Sequence, residues 1–232
     1  MKKQETIKQA NALSAESKMD EAEALFDEYL QANPNDVEMW LRLAVLENSP
    51  PLCYFPKAID CLQKVLEIDP NNFEAAMLYA YTNYYHTPEK EFAIENLQIL
   101  NSLKTDDPEK QSMIEYAKSL LYSRLSSEKY IIEYEQALLK SISLHQKHVR
   151  NYWALFNLYR GKKPHKAIEF ATTAIKNVQK IYPRKKQKDY DWTNYNEHIN
   201  EFIKGTHLTT EVFEMLEESL EKCKSYSKVY GS

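Results

Sequence analysis

One packing pattern recurs five times along this chain, with the form A-x-x-x-Φ-x-x-Φ, where Φ is apolar or aromatic. The instances are Ala22/Phe26/Tyr29, Ala58/Leu62/Val65, Ala93/Leu97/Leu100, Tyr130/Tyr134/Ala137 and Ala167/Ala171/Ala174, and their first members lie 36, 35, 37 and 37 residues apart. Spacings of four and then three place the three side chains on one face of a helix, and a small leading residue lets a neighbouring helix come close. A unit of this length cannot bury its apolar face alone. It must stack on the next copy, so the period constrains the fold more than any other feature of the sequence.

Local wording repeats at the same phase in Lys57-Ala58-Ile59-Asp60, Phe92-Ala93-Ile94-Glu95 and Lys166-Ala167-Ile168-Glu169. Asn33-Pro34-Asn35-Asp36 and Asp69-Pro70-Asn71-Asn72 read as helix stops, since proline cannot continue a helix and Asn or Asp can cap the next one. A second helix opens after each stop. Trp40, Leu43 and Ala44 fall four, seven and eight residues into the helix that follows Asp36, and Trp153 begins a comparable helix before Ala167. Only three glycines occur, at 161, 205 and 231, so glycine-rich phosphate loops, a dinucleotide-binding turn and a nucleophile elbow are all excluded. With so little glycine and abundant Glu, Lys, Leu, Ala and Gln, the chain reads as nearly all helix.

Small residues at these phases, Trp at the fourth position and proline between units resemble the tetratricopeptide repeat, a helix-turn-helix unit of about 34 residues. The resemblance implies an all-α, right-handed α-solenoid of about five helix pairs over residues 1–182, followed by a helical cap over 183–232. The match is uneven. Pro50-Pro51-Leu52-Cys53-Tyr54-Phe55-Pro56 lengthens the inner turn of the second unit, and Tyr130 stands where the fourth expects alanine, implying a wider helix separation there. No glycine holds the family's eighth position, where Ala10, Ala44 and Ala80 stand instead.

Residues 183–232 lose the code but stay amphipathic. Trp192, Tyr195, Ile199 and Phe202 are spaced 3, 4, 3, and after Gly205 so are Phe213, Leu216, Leu220 and Cys223, with Thr209 as an N-cap between the two stripes. A stacked array needs a terminal unit with a polar exterior, which Glu211, Glu214, Glu217, Glu218 and Glu221 supply.

Catalytic chemistry finds little support. Of the six histidines only His145 and His148 are neighbours, and Lys147 and Arg150 beside them give no carboxylate or thiol to complete a metal site. Asp106-Asp107-Pro108-Glu109 reads as a helix cap. No nucleophile stands out, so the expectation is a protein that is not an enzyme, with no cofactor and no metal. Cys53, Cys61 and Cys223 are odd in number and form no C-x-x-C pair, which favours reduced thiols in a cytoplasmic protein. Met1-Lys2-Lys3 is followed by no continuous apolar stretch, and nothing approaches the ~18 apolar residues of a membrane span.

In the resembled family the first helix of each pair lines a concave groove, and its second, fifth, ninth, twelfth and thirteenth positions face the ligand. With Val37 as first position this assigns Leu41, Val45 and Asn48 to the groove, and with Phe73 as first, Met77, Tyr81, Tyr84 and Tyr85. Tyr122 arrives at the twelfth position of the fourth unit. Tyrosine suits such a surface because it joins apolar area to a hydroxyl that seeks a partner. The carboxylate clamp some members use for chaperone tails is set aside, since Ile7 and Asn11 occupy the first unit's anchor positions and Leu41 and Val45 supply no polar contacts in the second.

Net charge is −4, unevenly distributed: residues 1–100 carry 8 Lys and Arg against 17 Asp and Glu, net −9, whereas residues 101–200 carry 18 against 11, net +7. The expected function is a protein–protein interaction module that holds a peptide segment or a domain, as an adaptor or chaperone. The alternative is an immunity-type inhibitor that neutralises a toxin domain, for which the acidic first half would suit a basic nuclease. A third class is nucleic-acid binding through Arg184, Lys185, Lys186 and Lys188, interleaved with Tyr182, Tyr190 and Trp192. Four charges make only a short phosphate track, and the acidic half opposes a long polyanion.

Overall fold

The helix stops read from proline and Asx residues divide the chain as expected. A computed structural model describes residues 2–125, 128–146, 149–181, 195, 217–222 and 224–225. Its ten principal helices are α1 (Lys3–Ala15), α2 (Met19–Ala32), α3 (Val37–Asn48), α4 (Phe55–Ile68), α5 (Phe73–His86), α6 (Lys90–Ser102), α7 (Pro108–Leu125), α8 (Glu128–Leu144), α9 (Val149–Tyr159) and α10 (Pro164–Ile181). Among the described residues there is no strand. The Asp36 carboxylate accepts the Met39 N–H at 3.3 Å and the Asn72 side chain accepts the Ala75 N–H at 3.0 Å, satisfying donors that a helix start leaves orphaned. Asp107 does the same for Glu109 at the start of α7, at 2.8 Å.

The recurring triplets are the packing seams. Ala22, Phe26 and Tyr29 of α2, Ala58, Leu62 and Val65 of α4, Ala93, Leu97 and Leu100 of α6, and Ala167, Ala171 and Ala174 of α10 are all buried. The α8 triplet is weaker, since Tyr130 and Tyr134 are only half-buried and Tyr130 stacks on Tyr122 with ring centroids 6.0 Å apart. The wider separation expected there does not extend along α7 and α8. Ser112 and Ser141, both buried, donate to each other's carbonyls at 2.8 and 2.6 Å, so small side chains at a second point hold the two helices together.

By contact the chain forms two compact units: Met1–Lys104 with Asp189–Ile203, and Thr105–Lys188 with Lys204–Ser232. The division by contact falls after residue 104, and 189–203 group with the first unit. In that unit each of α1 to α6 packs on its chain neighbours. Bonds between residues 33 or 34 apart tie successive repeats: Lys3 to Asp36 at 2.9 Å, Asn48 to Thr82 at 3.2 Å and Lys104 N–H to Asn71 at 2.7 Å. The second unit repeats the neighbour packing through α7 to α10.

Sparse glycine does not mean an absence of left-handed turns. Ser17 and Cys53 take positive φ, 61° and 46°, in the inner turns of the first two pairs. Gly161, by contrast, has open space where a Cβ would stand.

Candidate functional site: the first-helix face of the first unit

The first helices α3 and α5 carry the residues assigned to the groove, and their burial sorts them. Leu41 is 6% exposed, Val45 4%, Met77 0% and Tyr81 3%, so these four are covered. Asn48 and Tyr84 are half-buried and Tyr85 is 50% exposed. In the second unit Tyr122 is half-buried against Tyr130. An open groove would leave the fifth and ninth positions accessible, whereas α5 is buried continuously from Ala75 to Asn83 and therefore on every side.

Charged groups sit at the start of this face. Lys3 Nζ reaches Asp36 and Glu38, each at 2.9 Å, and Arg42 donates to Glu38 at 2.9 Å across one helical turn. The Asp36 carboxyl is held below its usual range: burial alone would raise it, but the Lys3 ammonium, the Met39 N–H and the Tyr29 hydroxyl outweigh that. Glu38 is held low, chiefly by Lys3. Above this cluster lies Tyr195, its ring 4.2 Å from the Arg42 guanidinium carbon. Burial pushes the Tyr195 phenol up to about 12, with Glu38 and Glu74 adding to the shift and Arg42 opposing it.

At the far end of α5 the aromatic side chains come to the surface. Phe55, at the start of α4, stacks on His86 at 3.4 Å with planes 7° apart, and Tyr84 meets Tyr85 edge-on at 4.9 Å. Tyr54 is 56% exposed beside them. Burial of part of the ring lowers the His86 imidazole below its ordinary value. Tyr79 belongs inside: fully buried, it accepts from Gln63 at 2.9 Å and donates to Glu95 at 3.0 Å, joining α4 and α6 through α5.

Lys57 lies in the same unit, paired with Glu23, with Asp27 at 2.9 Å and with the buried Glu47 at 3.4 Å. Burial, with the Glu23 charge, pushes the Glu47 carboxyl up to about 7 despite Lys57. Cys61 nearby is 2% exposed and burial pushes its thiol up to about 12, which leaves it a poor nucleophile. Among the described residues no group of three His, Cys, Asp or Glu side chains is placed to hold a metal, and no helix is long and apolar enough to cross a membrane.

The basic stretch Arg184, Lys185, Lys186 and Lys188 lies outside the described residues. Among the described lysines of the preceding repeat turn, Lys163 and Lys166 lie over the Tyr159 ring at 5.7 and 5.3 Å. The Arg42–Tyr195 contact was not legible, because Tyr195 reads as one member of a terminal stripe and nothing local pairs it with α3. Tyr54 and Phe55 were hidden in the lengthened proline-rich turn, whose extra residues were the available signal.

The tetratricopeptide-repeat family model matches residues 4–46. Two crystal structures of MamA resemble the fold: one is 24% identical, with a TM-score of 0.61 over 74% of this chain and 95% of that one, and another is 22% identical, with a TM-score of 0.61 over 79% and 96%. MamA from Desulfovibrio magneticus RS-1, residues 41 to the end, is 18% identical, with a TM-score of 0.61 over 76% of this chain and 95% of that one. No curated protein matches the sequence.

Proposed function

We propose that this chain, whose fold is that of the tetratricopeptide repeat, acts without chemistry of its own, as a module that binds another protein across the first-helix face of its first unit. The observation that carries this reading is the aromatic surface at the end of α5. Tyr54 and Tyr85 are more than half and half exposed, around a stacked Phe55–His86 pair, whereas Tyr79 and Tyr81 of the same helix are buried. Exposed phenols cost the free protein contact with water that a partner relieves, and they lose few torsions on binding. The occupant is a peptide segment or a domain of another protein, held in the manner of an adaptor.

A second reading, a specific inhibitor of a basic toxin domain, is favoured by the charge of residues 1–100, net −9 from 8 Lys and Arg against 17 Asp and Glu. Capture with the full chain from its native lysate at low and moderate salt separates the two. Several proteins sharing an extended motif support the adaptor. One small basic protein at near-stoichiometric yield, lost as salt rises, supports the inhibitor. Replacing Tyr54 and Tyr85 together by Ala should weaken the captured complex at least about ten-fold, since a buried aromatic anchor is worth ~2 kcal/mol, with melting unchanged. Unaltered binding would remove the aromatic surface from the site. Retained nucleic acid that is lost when Arg184, Lys185, Lys186 and Lys188 become Gln would overturn both readings.

A further inference from the structure

Residues 136–168 contain no Asp or Glu, although the chain's 34 acidic residues in 232 would place about five in a stretch of that length. The cations of this stretch gather at the turn from α9 into α10, where Arg160, Lys162, Lys163 and Lys166 are all exposed. Backbone bonds set the turn. The Lys162 and Lys163 N–H groups both donate to the Tyr159 carbonyl, at 2.9 and 2.7 Å, and the Lys163 and Lys166 ammonium groups converge over the Tyr159 ring. Elsewhere cations meet carboxylates: Lys3, Lys57, Lys118 and Lys140 each lie within 3.4 Å of one. Among the described residues no carboxylate stands within ion-pair distance of the four at this turn. Glu135, the last acidic residue before the turn, accepts instead from the Tyr159 hydroxyl. Like charges held together on one turn repel, and an anion laid against them relieves that repulsion.

We propose that this turn is a second docking surface and that its partner is an acidic peptide, a short run of Asp or Glu side chains in another protein. Charge complementarity carries the assignment, and what surrounds the cations selects among anions. Tyr159 is only 4% exposed and offers no open ring for a base to stack on, while the net −9 of residues 1–100 opposes a long polyanion. Among the described residues no large apolar side chain is exposed between Leu139 and Lys176, so nothing here enters a lipid surface. Three of the four cations are lysines, point charges that pair with carboxylates from several directions, without the planar fork that arginine offers a phosphate. Such exposed pairs are individually weak and screened by salt, so the surface gives a fast, salt-sensitive association. It uses neither Tyr54 nor Tyr85 and stands or falls separately from the aromatic surface of the first unit.

The test uses the full chain and, as probe, a fluorescent peptide of six consecutive Glu at low salt. Replacing Lys162, Lys163 and Lys166 together by Gln should weaken binding at least about ten-fold. The same change of charge at Lys8, Lys90 and Lys104, exposed lysines of the first unit, should leave it within about two-fold. Equal weakening by the two triple variants would show that only net charge is read and would overturn the proposal. So would a loss that follows replacement of Arg184, Lys185, Lys186 and Lys188 by Gln while the turn variant binds normally. Amine labelling of the wild-type chain gives a second reading that does not depend on how any variant folds. Saturating peptide should slow acylation of Lys162, Lys163 and Lys166 at least about ten-fold relative to Lys8 and Lys90; unchanged labelling at the turn would overturn the proposal. A short oligouridine RNA or phosphatidylserine vesicles that bind through the same lysines more tightly than the peptide would assign the surface to phosphate and overturn it. Self-association of the wild type that the turn variant abolishes, with peptide binding intact, would assign it to a second copy and overturn it likewise.

Discussion

Glu47 carries an energetic tension that pH should reveal. Its carboxyl is buried, 3.4 Å from a Lys57 already engaged by Glu23 and Asp27, and is raised to about 7 from an ordinary value of 4.5, first by burial. A raised carboxyl means that the native state holds the proton more tightly than the unfolded chain. The contribution is therefore fully present below pH 4.5 and is lost as pH rises through 7, a span of roughly 3 kcal/mol at one to two pH units above that midpoint. Glu47→Gln should flatten this dependence: urea unfolding at pH 5.5 and 8 should differ less in the variant than in the wild type. An identical difference in both proteins would show that Glu47 does not titrate in that range. The tyrosines of α5 provide the complementary contrast. Tyr81→Ala empties a position only 3% exposed and should cost ~3–5 kcal/mol of stability, whereas Tyr85→Ala, half exposed, should stay within about 0.5 kcal/mol in the same denaturation experiment.

At the scale of the element, the alanine seams and the caps bear different loads. Ala58 of α4 and Ala171 of α10 are fully buried where two helices meet, so Leu at either place adds volume that only backbone movement can accommodate, costing ~1–3 kcal/mol. Asn72→Ala removes a single acceptor from the start of α5 and should cost ~1 kcal/mol. Chemical denaturation that ranks the cap above the seam would contradict this account of the repeat. Helix order was legible because it depends on neighbours within one turn: proline and Asx stops set the boundaries, and the four-then-three spacing picks the buried stripe. The fourth unit shows the limit of such reading. Tyr130 pointed to a wide α7–α8 contact, but the buried Ser112–Ser141 pair, residues far apart in sequence, draws the helices together.

For the whole molecule, the residues beyond the last repeat divide by contact between the two units. A chain ending at residue 182 loses 189–203 from the first unit and 204–232 from the second. Both units lose residues that group with them by contact, so the truncated protein should melt lower and associate with rising concentration in sedimentation experiments. A truncation that remains monomeric with unchanged melting would show that the terminal residues cover no apolar face. The sequence by itself determined the helical class, the period, the seams and the aromatic richness of α5, because each is a local pattern read over a few turns of helix. Only the tertiary structure decided that Leu41, Val45, Met77 and Tyr81 are buried, that Tyr54, Phe55 and His86 gather beside Tyr85, and that Tyr195 stands on Arg42. The physical reason is that burial and long-range pairing depend on what other parts of the chain lie against a face, and helical phase names the face without naming its occupant.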